Sequence, residues 1–135
     1  MDKELMRQQI NSGSPFEDRI GFSRACRVGP YLAIAGTAPI CADGKVAHEG
    51  DVYAQTRRCF ELVAEAVHEA GLQLSDVIRT RIMLTNIDEW ERAAVAHREF
   101  FADIKPACTF VEVSRFIDKH WLVEVEADCV ASTDK

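Results

Sequence analysis

Trp121-Leu122-Val123-Glu124-Val125-Glu126-Ala127-Asp128-Cys129-Val130-Ala131 is the stretch that decides the fold class. Val123, Val125 and Ala127 alternate with Glu124, Glu126 and Asp128. A period of two puts successive side chains on opposite faces of a strand, so one face here is apolar and the other acidic. The same alternation recurs upstream. Leu32 and Ile34, Ile82 and Leu84, and Val111 and Val113 join Val123, Val125 and Ala127 in one predicted apolar sheet face. Between these strands the period changes. Cys59, Phe60, Val63, Ala66, Val67 and Ala70 recur at three- and four-residue spacing and predict a helix over 52–70, with Asp51 as N-cap and Gly71 as stop. A second helix is predicted over 88–102 with the stripe Trp90, Ala93, Ala94, His97 and Phe101, ended by Pro106. Strands are predicted over 22–28 and 31–35, joined by Gly29-Pro30, then over 77–84, 108–116 and 121–131, with a turn at Ala42-Asp43-Gly44-Lys45. The order is ββαβαββ, an α+β fold with one mixed sheet and two helices on one face. Residues 1–18 are expected to be a lead-in, irregular over the turn formers of 11–18, ahead of a single domain over 19–135.

The opposite face of the sheet is predicted to carry Tyr31, Ala33 and Ala35; Arg79, Arg81 and Met83; Cys108, Phe110 and Glu112; and Leu122, Glu124 and Glu126. Two helices cover only one side of such a sheet. Apolar side chains with embedded charges mark a partner interface, and an ordinary half-solvated antiparallel face has a related composition. Both readings stand at this level.

Composition narrows the function classes. The 135 residues make one domain, with 47% hydrophobic and 28% charged residues. Sixteen Lys and Arg against 22 Asp and Glu give a net charge of −6, which argues against a phosphate-neutralising stripe and therefore against nucleic acid as a partner. No apolar run approaches the roughly 18–20 residues of a membrane span, and the charged N-terminus does not read as a signal peptide. Cys26, Cys41, Cys59, Cys108 and Cys129 are odd in number and widely spaced, with no C-x-x-C, which reads as a reduced cytoplasmic chain using cysteine as a small hydrophobe. His48, His68, His97 and His120 are scattered without metal-ligand spacing, and there is no glycine-rich phosphate loop or G-x-S-x-G. Neither a metal nor a cofactor is expected.

The ordered motifs add more. They are Gly21-Phe22-Ser23-Arg24-Ala25; Gly29-Pro30-Tyr31-Leu32-Ala33-Ile34-Ala35-Gly36 with Pro39; Gly50-Asp51 with Gln55-Thr56; Ala70-Gly71 with Asp76-Val77; Phe100-Phe101 before Pro106-Ala107; and Val123-Glu124-Val125-Glu126. Spanning about Pro15 to Ala131, this set resembles the RidA/YjgF family of reactive-intermediate (enamine/imine) deaminase-like proteins, parts of which carry L-PSP endoribonuclease or translation-inhibitor labels. The resemblance implies a chorismate-mutase-like subunit, a homotrimer with a central barrel of sheets, and clefts between subunits that take a small molecule without a cofactor. In deaminating members an arginine after the Pro-Ala pair clamps the carboxylate of a 2-imino acid, and a glutamate on the last strand handles the attacking water. Carried across, the glutamate is Glu124, while the arginine position holds Cys108. A family tyrosine is replaced by Phe22, a serine by Ala35, a helix asparagine by Ala94 and a helix tyrosine by His97. A thiol cannot supply forked cationic donors. The resemblance therefore implies weak or absent 2-imino acid deaminase activity, and a hydrolase of a related, less polar intermediate or a non-catalytic binding module instead; an endoribonuclease sits poorly with the acidic charge.

Several candidates keep a structural alternative. Glu124 fits either a charge column balanced by Arg79 and Arg81 or a cleft carboxylate of raised pKa. Cys108 fits packing or thiol chemistry. His97 fits core or interface packing ahead of a ligand role, and His120 a solvated strand start. Arg81, ahead of Arg115, is the candidate to replace the missing clamp, with pairing to Glu112 or Glu124 as the structural option. Phe22, Tyr31 and Phe110 fit an apolar cleft wall or interface packing.

Overall fold

A computed structural model describes residues 6–132. The elements are β1 (Arg7–Ile10), α1 (Pro15–Ile20), β2 (Ala25–Val28), β3 (Tyr31–Thr37), α2 (Val52–Glu69), β4 (Val77–Leu84), α3 (Trp90–Phe101), β5 (Ala107–Glu112) and β6 (Val123–Val130). They build one six-stranded sheet in the order β1-β2-β3-β6-β4-β5, antiparallel except for the β4–β5 pair. The sheet is mixed, α2 and α3 lie on one face, and the core after α1 follows the ββαβαββ order.

The alternation of β3, β4 and β6 sets the core. Leu32, Ile34, Ile82, Leu84, Val123, Val125 and Ala127 are buried against α2 and α3. α2 starts where the Asp51 carboxylate accepts from the Ala54 N–H at 3.0 Å. It buries Val52, Cys59, Phe60, Val63, Ala66 and Val67. Its last turn is closed by Arg27, whose Nη1 donates to the Ala70 carbonyl at 2.6 Å, satisfying a C-terminal acceptor with a cation. On α3, Ala93 and Ala96 are completely buried, and small side chains there let the helix approach closely. Phe60 meets Phe101 edge-on with ring centroids 5.3 Å apart.

Gln55 is 0% exposed and has a job no hydrophobe could do. Its Nε2 donates to the Ala47 carbonyl at 3.1 Å and the His120 carbonyl at 3.0 Å, and its Oε1 accepts from the Leu122 N–H at 2.8 Å. One amide thus ties the loop before α2 to the loop entering β6, in the place where the Gln55-Thr56 motif fell.

Three expectations need correction. The lead-in holds structure: ahead of the turn formers β1 pairs with β2, and within the 11–18 stretch read as irregular α1 begins at Pro15, with Ser14 as N-cap accepting from the Phe16 N–H. The first predicted strand begins at Ala25 rather than 22. The strand predicted over 108–116 ends at Glu112, and its faces are reversed. Thr80, Ile82 and Leu84 pair in register with Cys108, Phe110 and Glu112, so these three share the helix-side face, while Thr109 and Val111 lie beside Arg81 and Met83 on the open face.

Candidate functional site

The open face of the sheet places three acids of β6 opposite three residues of β4. Asp128 pairs with Arg79, Glu126 with Arg81 and Glu124 with Met83. Arg81 Nη1 reaches Glu126 Oε1 at 2.5 Å, and Arg79 Nε stands 3.8 Å from Asp128. The charge column is therefore real for two rungs, and Glu124 is the acid left over. Arg81, the candidate clamp, is committed to Glu126 rather than to Glu112 or Glu124. Glu112 instead accepts from the Ile87 N–H at 3.0 Å, and Arg115 is exposed beyond the end of β5.

A bulge in β3 makes room for Glu124. Ile34 pairs with Ala127, but the next registered pair is Thr37 with Val125, so Ala35 and Gly36 together oppose Glu126. Thr37 is returned to the core by the extra residue and is fully buried. A Cβ at position 36 would stand 2.8 Å from Glu124 Oε1, so a side chain there would push the carboxylate from where it rests. Half-burial pushes the Glu124 carboxyl above its ordinary range, Glu126 adds repulsion, and Arg24 opposes both. The carboxyl is poised to hold a proton nearer neutrality than a solvated glutamate does.

The second group of candidates lies elsewhere. Cys108 is exposed on edge strand β5, on the helix-side face beside Thr80. His97 Nε2 is 2.8 Å from Thr80 Oγ1, and its ring packs on Phe101 at 4.6 Å and Phe60 at 5.4 Å. Burial lowers the His97 pKa, which keeps the ring neutral and suits it to packing. Phe110 meets Trp90 edge-on at 5.9 Å, and Ala94 is half-buried on the same helix, one turn from each of Trp90 and His97. Phe22 follows α1 and is 37% exposed. His120 is half-exposed with Nδ1 3.0 Å from Glu49.

The candidates thus form two groups. Glu124 and Ala35 belong to the open face, with Arg81 alongside; Cys108, Phe110, Ala94 and His97 belong to the β5–α3 edge on the other side of the sheet. A shallow depression of about 370 Å³ contains neither group; it lies on the outer sheet between Val28, Tyr31, Ile78 and Val130. Sequence reasoning missed Arg24, which is taken up below, and Gly36 as the seat of Glu124. Among the described residues no group of three or more His, Cys, Asp or Glu is arranged to hold a metal ion, and no helix is long and apolar enough to cross a membrane.

Comparison with known proteins fits this frame. The family described as Endoribonuclease L-PSP matches residues 15–131. The chain belongs to the RidA/YjgF family. A RutC family protein of Pyrococcus abyssi is 34% identical over 78% of this chain and 83% of its own. The Streptomyces coelicolor protein SCO2049 is 38% identical over 95% of this chain and 94% of its own. The crystal structure of Rv2704 from Mycobacterium tuberculosis, described as a member of the highly conserved YjgF/YER057c/UK114 family, is 38% identical. It covers 93% of this chain and 100% of its own, with a TM-score of 0.84. RidA/YjgF membership also places this chain in a family that binds small molecules, and the ββαβαββ core is that family's fold.

Proposed function

We propose that the chain works as a cytoplasmic homotrimer that binds a small metabolite in clefts between subunits. In each cleft Glu124 of one subunit handles water beside the Cys108 edge of the next. The observation that carries this is the placement of Glu124 and Cys108 on opposite faces of one sheet. Two family site positions that cannot meet within a chain meet when the open face of one subunit packs beside the β5 edge of another. The composition of the open face supports the packing: Ala33, Ala35, Met83 and Val111 are set among paired charges there, and Tyr31 is 65% exposed.

The chemistry follows from Glu124. Its carboxylate takes a proton from water as the oxygen adds to an imine carbon and returns it to the imine nitrogen, giving a carbinolamine. It then takes the carbinolamine hydroxyl proton and passes it to the nitrogen as the C–N bond breaks and the C=O forms. An imine plus water gives a carbonyl compound plus an amine or ammonia, with no cofactor. Cys108, Ala35, Ala94 and Phe22 offer no charged donor, so this member of the family is a divergent one and its ligand is less polar than a 2-imino acid. Hydrolysis of 2-iminopropionate, measured beside an arginine-bearing relative, tests this. Turnover at least 30-fold below the relative's is expected, and comparable turnover overturns the reading.

A second reading, a binding or regulatory module without catalysis, is favoured by the same replacements and by His97 being occupied with Thr80. Ligand binding with no turnover in any imine or enamine assay separates it from the first. Ribonuclease action is disfavoured by the charge of −6 and by the Arg79 and Arg81 guanidinium groups being matched to acids.

A further inference from the structure

Arg24 immediately precedes β2 and touches the β3 bulge twice. Its carbonyl accepts the Ala35 N–H at 3.0 Å, and its Nη1 donates to Thr37 Oγ1 at 3.2 Å. Thr37 Oγ1 in turn donates to the Ala35 carbonyl at 2.8 Å. Ala35 within the bulge and Thr37 at its far side are therefore both held by Arg24, one through its backbone carbonyl and one through its side chain. Arg27, Arg57, Arg58, Arg79 and Arg81 each either pair with an acid or cap a carbonyl. Arg24 does neither: among the described residues it has no carboxylate within 4.0 Å, although Glu17 of α1, Glu124 of β6 and Glu65 of α2 all act on its charge. A half-buried guanidinium whose side chain makes its hydrogen bond to a threonine hydroxyl is costly to keep unless its position matters.

We propose that Arg24 is a positioning residue for Glu124: through Thr37 and Ala35 it fixes the bulge that leaves Gly36 beneath the Glu124 carboxylate. This rests on the reading of Glu124 as the cleft carboxylate. The charged and titratable groups around Glu124 are Glu126 on its own strand, with Arg81 of β4 neutralising it, Cys59 of α2, and Arg24. Met83 faces Glu124 from β4 and Gly36 from β3, and neither carries a charge. Arg24 is thus the cation in this group not already matched by an acid, and its field favours the ionised carboxylate.

The test is the titration of the Glu124 carboxyl carbon, followed by NMR in the full-length protein without ligand. Arg24→Gln is expected to move the midpoint to higher pH, because the favourable cation is gone. Arg24→Lys, which keeps the charge, is expected to stay nearer the wild-type midpoint. Thr37→Val keeps the charge but cuts the link to the bulge, and is expected to change the Glu124 midpoint and carboxyl shift as well. Unchanged titration in Arg24→Gln, whatever happens to its stability, overturns the proposal and leaves a merely structural arginine. Should Arg24→Gln not fold, unchanged titration in Thr37→Val does the same. None of these outcomes depends on ligand or turnover. The cleft reading fails separately, if the protein hydrolyses imines equally well with Glu124→Gln.

Discussion

Replacing Cys108 with arginine puts back the forked cation that deaminating relatives place after the Pro-Ala pair. Position 108 is exposed on edge strand β5 and its register partner is Thr80, so a long side chain can extend from it without entering the core. The β4–β5 ladder is made of backbone groups, and the substitution leaves it intact. Removing one partner of a desolvated guanidinium–carboxylate contact costs about 2–5 kcal/mol, so restoring the arginine recovers at most roughly 30- to 4000-fold in binding. Exposure at the edge screens the charge and draws the expected gain to the lower end, about 30- to 100-fold. The assay is hydrolysis of 2-iminopropionate generated in place by an amino-acid oxidase, compared for wild type, Cys108→Arg, and Cys108→Arg with Glu124→Gln. Cys108→Arg is expected to gain turnover and the double variant to lose it. A folded Cys108→Arg protein of unchanged mass in solution with no gain would refute the argument that position 108 limits this activity.

Two further outcomes follow from the site and the core. Glu124 binds its proton more tightly folded than unfolded, so its ionisation costs stability above the ordinary carboxylate range. Glu124→Gln should therefore raise the melting temperature at pH 7, with the gain fading as pH falls toward about 4, checked by thermal denaturation at both pH values. Gln55→Leu strands two carbonyls and one N–H at about 1–3 kcal/mol each, offset by about 1–2 kcal/mol of apolar burial, for a net loss of about 4 kcal/mol at mid-range. At fixed protein concentration that is a fall in melting temperature of about 15 °C.

The strands that carry the core were legible because one face of each is covered. β6 alternates along its whole length, β3 does so up to its bulge and β4 from Arg79 onward, and the covered face fixes their register. β5 was misplaced for the opposite reason. It is an edge strand with no fully buried residue, and Phe110 beside Val111, like Glu112 beside Val113, lets the alternation be counted either way. Its true register is set by pairing with β4, which local sequence does not display. β1 escaped notice because Arg7, Gln8 and Gln9 are exposed and Ile10 alone is buried. At the site, Glu124 could be found from its strand, yet its isolation from Arg79 and Arg81 depends on cross-strand register. The Ala35-Gly36 bulge adds a residue without any break in the sequence pattern. Gly36 was the available signal, since a glycine inside a strand marks a bulge or a close approach. Arg24 read as part of a predicted strand, and only the fold shows it touching Thr37.

The account turns on Glu124 and Cys108 of different chains facing one cleft. A benzophenone attached to Cys108, with the exposed or half-buried Cys41 and Cys26 changed to serine, tests this in a mixture of light and isotope-heavy chains reassembled together. Irradiation and mass spectrometry should return light–heavy cross-links from Cys108 to peptides holding Arg24–Gly36 or Glu124. Cross-links confined to the same chain, at α3 and its neighbours, would contradict it.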